Sequence, residues 1–131
     1  MNNNYSIIMA GGIGSRFWPL STAENPKQFL DVLGIGKTLI QMTYERLLHI
    51  SPNENIFIMT NQEYKAKVLE QLPNLSPSQV LTEPERKNTA PCIAYAAGKI
   101  QAMNPNANLI VCPADHLIMQ EDRFKKSIEV A

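Results

Sequence analysis

Apolar and polar positions along the chain follow two alternating periods. Residues 5–9 (YSIIM) form a short apolar run stopped by Ala10-Gly11-Gly12, the pattern of a strand buried on both faces that feeds a glycine loop. From Thr38 the spacing changes: Leu39, Ile40, Met42, Thr43 and Leu47 recur with polar residues between them, and Thr38 with Gln41 three positions later makes a capping box. A helix is predicted from there to about His49. Residues 55–60 (NIFIMT) read as a second strand, after which Asn61 caps a helical segment stopped by Pro73. Residues 79–82 (QVLT) read as a short third strand. Asn88-Thr89-Ala90-Pro91 then opens a helix to about Met103, with Ile93, Ala96, Ala97 and Ile100 on one stripe. Residues 108–112 (NLIVC) read as a fourth strand, closed by Pro113-Ala114-Asp115-His116. Residues 122–131 have helical spacing without a stop signal, so this last helix is expected to be cut by the end of the chain.

Strands that alternate with helices predict an α/β fold, an open, mainly parallel sheet with flanking helices and right-handed crossovers. Ligands bind such sheets off the carboxyl ends of the strands. Three of the four predicted strand ends carry unusual chemistry: Gly11-Gly12 to Arg16, Glu83 to Asn88, and Asp115. They are expected to share one crevice.

Length and charge narrow the function. A chain of 131 residues amounts to one domain at most. Lysine plus arginine number 12 and aspartate plus glutamate 12, so no basic excess is present to neutralise a nucleic acid or an anionic membrane. No apolar run approaches the roughly 18 residues that span a bilayer. The start, Met1-Asn2-Asn3-Asn4, also lacks the basic flank and apolar stretch of a secretion signal. A cytoplasmic protein with no membrane or nucleic-acid partner is expected. Cys92 and Cys112 have no CxxC and no histidine at ligand spacing, so both are expected as buried, reduced thiols rather than zinc ligands. His116, His49, Trp18 and the methionines read as packing or surface residues.

Two glycine motifs are imitations. A dinucleotide fingerprint needs glycines at its first, third and sixth positions; counted from Gly12, the sixth is Phe17, and Pro19 would break the helix that should follow. Gly34-Ile35-Gly36-Lys37-Thr38 resembles the end of a P-loop, but its first glycine would fall on Asp31, a carboxylate where phosphate should sit. That stretch is expected to be a flexible turn whose Thr38 caps the next helix. Residues 10–30 taken whole read differently. Consecutive glycines let backbone amides face a polyphosphate, Arg16 supplies a planar fork for phosphate oxygens and Lys27 a point-like cation. That charge count suits a triphosphate.

Residues 10–30, AGGIGSRFWPLSTAENPKQFL, resemble the GGxGxRLxPLxxxxPK signature of the sugar-nucleotide nucleotidyltransferases, with Phe17 at the leucine. Trp18 and the continuation Pro26-Lys27-Gln28-Phe29-Leu30 bring them nearest to the branch that carries guanylyl groups to mannose 1-phosphate. Residues 83–91 (EPERKNTAP) look like that family's EPxxRNTAP base-recognition segment with Lys87 inserted, and residues 112–116 (CPADH) like its PADH segment. The resemblance implies a Rossmann-like nucleotidyltransferase fold that takes GTP and mannose 1-phosphate to GDP-mannose and pyrophosphate. It implies nucleotide binding by Ala10, Gly11, Gly12, Gly14, Ser15, Glu83, Asn88 and Thr89, catalysis by Arg16 and Lys27, and Mg²⁺ held by Asp115.

Chemistry supports the last assignments. A carboxylate such as Glu83 accepts both the N1 hydrogen and an N2 amino hydrogen of guanine, whereas adenine turns an acceptor toward it. An aspartate at a strand end suits Mg²⁺, which takes a carboxylate together with phosphate oxygens and water. Residues 1–131 are expected to be the N-terminal, nucleotide-binding part of a nucleotidyltransferase domain, without its sugar-binding part and inactive alone. The unfinished sheet edge would invite another chain, and a homo-oligomer stays open. So do two other functions, a related sugar-1-phosphate nucleotidyltransferase with another base or sugar, and a non-catalytic nucleotide-binding module.

Overall fold

Four strands, β1 (Asn4–Met9), β2 (Ile56–Asn61), β3 (Val80–Glu83) and β4 (Asn108–Pro113), pair in the order β3-β2-β1-β4, all parallel. The computed structural model describes residues 3–12, 21–83, 89–116, 118 and 120–131, with the helical backbone alone at 89 and 90. Register centres on β1, where Ile8 stands opposite Ile58 of β2 on one side and Cys112 of β4 on the other. The helices are α1 (Leu39–Leu47), α2 (Lys65–Gln71), α3 (Thr89–Met103) and α4 (Glu121–Val130).

Successive strand residues point to opposite faces, and both faces of this sheet are covered. Ile8, Ile56, Ile58 and Val80 pack with Ile40, Tyr44 and Leu47 of α1 and Val68 of α2, with Phe124 and Ile128 of α4 partly buried against them. Ile7, Phe57, Met59 and Leu81 pack on the other face with Cys92, Ala96 and Ile100 of α3. That double burial is why β1 and β2 read as continuous apolar runs rather than alternating ones. Right-handed crossovers account for the division of helices. The path β1 to β2 to β3 moves one way across the sheet, and the return to β4 moves the other way, so α3 lies on the opposite face from α1 and α2.

Local signals behave as the sequence predicts. Thr38 Oγ1 accepts the Gln41 N–H at 3.4 Å while Gln41 Oε1 accepts the Thr38 N–H at 2.9 Å, the two halves of the capping box of α1. Asn61 Oδ1 accepts the Tyr64 N–H at 3.1 Å and opens a 3-10 turn that runs into α2. The buried line of α3 runs through residues 92, 96 and 100, with Ile93 and Ala97 only half-buried. This helix is apolar on several sides, so periodicity alone leaves its phase undetermined.

The P-loop imitation is a turn, though a tied one. Asp31 accepts the N–H groups of Ile35 at 3.0 Å and Gly36 at 2.7 Å through its two carboxylate oxygens. The chain's own carboxylate thus takes amides that a phosphate would need. Gly34 and Gly36 sit at φ of 68° and 83°, a region other residues enter at a cost. Among the described residues no helix is long and apolar enough to cross a membrane.

Thr38 also donates its hydroxyl to Gln71 Oε1 at 2.7 Å, joining the start of α1 to the end of α2. Thr38→Ala is expected to cost about 1 to 2 kcal/mol of stability, read from urea unfolding. An unchanged midpoint would contradict the cap's role.

Candidate functional site

The exit of β1 is held from both neighbours. The Ala10 N–H donates to the Met59 carbonyl of β2 at 2.8 Å, and the Ala114 N–H, just past β4, donates to the Met9 carbonyl at 3.0 Å. The Ala10 carbonyl accepts Thr60 Oγ1 at 2.9 Å and Gln28 Nε2 at 3.1 Å, and the Gly12 carbonyl accepts Gln28 Nε2 at 2.9 Å. Neither Gly11 nor Gly12 has a positive φ. Among the described residues, a Cβ on Gly11 would meet Thr60 Cα at an ordinary 3.9 Å, and one on Gly12 would meet nothing within 4 Å. Packing among the described residues does not require glycine at either position. What glycine provides here is bare backbone that a ligand can approach.

Lys27 is carried to the same end of the sheet by a segment anchored on α2 and the turn before it. Tyr64 Oη donates to the Ala23 carbonyl at 2.7 Å, and Lys67 Nζ donates to the Glu24 carbonyl and, at 2.8 Å, to Asn25 Oδ1. The chain then forms the 3-10 turn Lys27–Phe29, whose Phe29 ring packs edge-on to Tyr64 with centroids 5.6 Å apart. Lys27 and Asp115 both line a recess of about 510 Å³, with Arg46, Cys112, His116 and Phe124 among its other walls. Asp115 is half-buried, and the exposed His116 places Nε2 3.8 Å from its Oδ1.

Arg46 is the residue sequence reasoning missed. It is 5% exposed, donates from Nη2 to Thr43 Oγ1 at 3.2 Å and lies over the Phe124 ring, 5.4 Å from its centroid. Among the described residues no carboxylate lies within ion-pair distance of it. Burial lowers its pKa, opposed by the nearby Cys112 and Glu121, but a guanidinium stays charged at any pH of interest. The available signal was spacing: residues 39, 43 and 46 share the buried face of α1, and a charge on such a face is unusual.

Glu83 ends β3 in register with Asn61 and is half-buried. It neighbours the Cys92 thiol, whose pKa is pushed up to about 11, first by burial and then by the hydrogen bond and negative charge of Glu83. Glu83 does not line the recess at Lys27. It lies two strands from β1, roughly 10 Å at ordinary strand spacing, on the side away from β4. The structure therefore brings Lys27 and Asp115 together, sets Ala10, Gly11 and Gly12 just past the end of β1, and leaves Glu83 further along the same edge. Gly14, Ser15, Arg16 and Asn88 lie outside the described residues, as do Trp18 and Arg86, and Thr89 is described only as the first residue of α3. Of the two thiols expected to be buried, Cys92 is, while Cys112 is only half-buried because β4 is an edge strand.

Among the described residues no group of three or more histidine, cysteine, aspartate or glutamate side chains forms a metal cage. Asp115 is a single carboxylate in a recess it shares with a lysine. That donor set suits Mg²⁺, which binds through one or two carboxylates with phosphate oxygens completing its shell.

The nucleotidyl transferase family matches residues 5–131, and the chain belongs to that family. It is 42% identical over 127 residues to a mannose-1-phosphate guanylyltransferase of Salmonella montevideo, covering 95% of this chain and 26% of that protein. It is 38% identical over 131 residues to the mannose-1-phosphate guanylyltransferase of Escherichia coli K12, covering 97% of this chain and 27% of that protein. The chain thus spans about a quarter of the curated relatives it matches. A crystal structure described as a mannose-1-phosphate geranyltransferase from Thermus thermophilus superposes with a TM-score of 0.83 at 30% identity, covering 98% of this chain and 37% of that one.

The two thiols supply a prediction. Only the thiolate is nucleophilic, and burial raises the pKa of both cysteines, Cys92 to about 11. Alkylation by iodoacetamide at pH 8 is expected to be slower at Cys92 than at an unhindered thiol, and to quicken after Glu83→Gln removes the neighbouring charge. Rapid labelling of Cys92 in the native protein would contradict the pairing.

Proposed function

We propose that the complete protein carrying this chain transfers GMP from GTP to mannose 1-phosphate, giving GDP-mannose and pyrophosphate. The observation that carries this reading is the meeting of Lys27 and Asp115 at one recess, at the carboxyl end of the sheet where the Gly11-Gly12 stretch also leaves β1. The names of the relatives, two of them mannose-1-phosphate guanylyltransferases, supply the choice of base and sugar. The substrates are charged phosphates that do not cross a bilayer unaided, and the reaction is assigned to the cytoplasm.

In this reaction a phosphate oxygen of the sugar phosphate attacks the α-phosphorus of GTP in line. The new P–O bond forms as the bond from that phosphorus to the bridging oxygen breaks, and the electron pair leaves with pyrophosphate. The attacking phosphate is already ionised near neutral pH, so no general base is required. Catalysis then rests on position and charge. The Gly11 and Gly12 backbone admits the phosphates closely, Lys27 balances charge on the α-phosphoryl group, and Arg16 holds the departing pyrophosphate. Asp115 would hold Mg²⁺, which when bound neutralises phosphate charge. Glu83 accepts hydrogens from N1 and N2 of guanine, and a Cys92 that remains a thiol at neutral pH holds that carboxylate in place. Gly14, Ser15, Asn88 and Thr89 complete the nucleotide contacts, while Ala10, buried with its N–H and carbonyl already bonded to Met59, Thr60 and Gln28, supports the glycines from behind.

Pyrophosphate release tests the proposal directly, with GTP, ATP, UTP and dTTP each offered against mannose 1-phosphate and glucose 1-phosphate. GTP with mannose 1-phosphate is expected to turn over fastest. A faster pair containing UTP or dTTP would point to a related transferase, and GTP binding without release to a non-catalytic module. Lys27→Met is expected to lower kcat by roughly 10²- to 10³-fold. Glu83→Gln is expected to cut the preference for GTP over ATP by about tenfold or more; an unchanged preference removes the role given to Glu83.

A further inference from the structure

The side chain next to Lys27 grips the start of the glycine loop. Gln28 is 4% exposed and donates from Nε2 to two carbonyls, Ala10 at 3.1 Å and Gly12 at 2.9 Å. A primary amide has two hydrogens to give, so both are committed to one three-residue stretch. The Ala10 carbonyl takes its second hydrogen bond from Thr60 Oγ1 at 2.9 Å, which fills both of its lone pairs. The peptide unit between residues 10 and 11 is planar and trans, so a carbonyl held toward Gln28 and Thr60 sends the Gly11 N–H the opposite way.

We propose that Gln28 is a positioning residue for the nucleotide. It fixes the Gly11-Gly12 backbone with the Gly11 amide turned away from the clamp, and it ties that backbone to the turn that carries Lys27. The two elements that meet the phosphates then move as one body. This rests on the reading of residues 10–12 as part of the phosphate cradle.

The clamp makes a demand that packing alone does not. A methionine fills nearly the same volume with nothing to donate. An ionised glutamate also has no donor and turns negative oxygens toward two carbonyls, whereas a protonated one can donate a single hydrogen. Burial and those carbonyls raise such a carboxyl's pKa. Gln28→Glu should therefore convert the clamp into a pH-dependent one.

The test compares the complete wild-type protein with Gln28→Met and Gln28→Glu, measuring GTP affinity by titration calorimetry and steady-state kinetics between pH 5.5 and 8.5. Hydrogen exchange of the segment at residues 4–12 is followed in parallel. Gln28→Met is expected to weaken GTP binding about tenfold at every pH, the loss of two buried hydrogen bonds, with KM rising more than kcat falls and faster exchange before GTP is added. Gln28→Glu is expected to bind as weakly as Gln28→Met at high pH and to recover, relative to wild type, as the pH falls. Affinities within twofold of wild type for both variants would overturn the proposal. So would equal, pH-independent losses that merely track a fall in global stability. If Gln28→Glu does not fold, the KM-against-kcat split in Gln28→Met decides. A wild-type protein that binds no GTP would sink the cradle reading and the clamp with it, whereas wild-type binding with unaffected variants sinks the clamp alone.

Discussion

The structure depends on how β1 is paired. It lies between β2 and β4, parallel to both, so the chain must leave it in one direction and return on its other side. Where strand order turns in this way, the connections beyond two adjacent strands diverge and a crevice opens at their carboxyl ends. The exits of β1 and β4 form the rim of that crevice. Met9 stands opposite Pro113, and this register brings the chain leaving β4 at Ala114 and Asp115 to the same end of the sheet as the glycines leaving β1, although more than a hundred residues separate them. Lys27 is brought in by different means, through the anchored segment before it and the Gln28 amide after it.

Electrostatics follow from the same geometry. The chain as a whole carries no formal charge, so attraction for an anion has to be local. Lys27, Arg46 and Asp115 line one recess, two cations against one carboxylate, the balance that phosphate brought in with a divalent cation would meet. The buried Arg46 keeps its orientation through the Thr43 hydroxyl and the Phe124 ring. The P-loop imitation shows the opposite arrangement, since Asp31 already occupies the amides at residues 35 and 36. Two glycine stretches of similar appearance thus differ among the described residues: at 34–36 a carboxylate takes the amides, whereas at 10–12 Gln28 takes the carbonyls.

Much of this was legible in the sequence because strands covered on both faces leave unbroken apolar runs, and because Thr38 and Asn61 announce their helices by side-chain chemistry. The carboxyl-end location of Asp115 followed from the fold class, and the place of Lys27 from reading residues 10–30 as one phosphate-binding stretch. What was not legible depends on pairing across the chain. That β4 is an edge strand, leaving Cys112 half-exposed, is a fact of strand order that no local pattern encodes. The Gln28 clamp joins residues that are 16 and 18 positions apart, and glutamine in a polar stretch gives no sign of burial. The α3 stripe was right at Ala96 and Ile100 but took in the half-buried Ile93 and Ala97 and missed Cys92, because alanine, glycine and isoleucine make that helix apolar on more than one side.

The central claim is that one polyphosphate is enclosed between the exits of β1 and β4. A crystal structure of the complete protein with GTP and Mg²⁺ tests it most directly. Phosphate oxygens are expected against the Gly11-Gly12 backbone and Lys27 Nζ, with the metal on the Asp115 carboxylate. Phosphates bound elsewhere, or Lys27 and Asp115 serving different ligands, would contradict it.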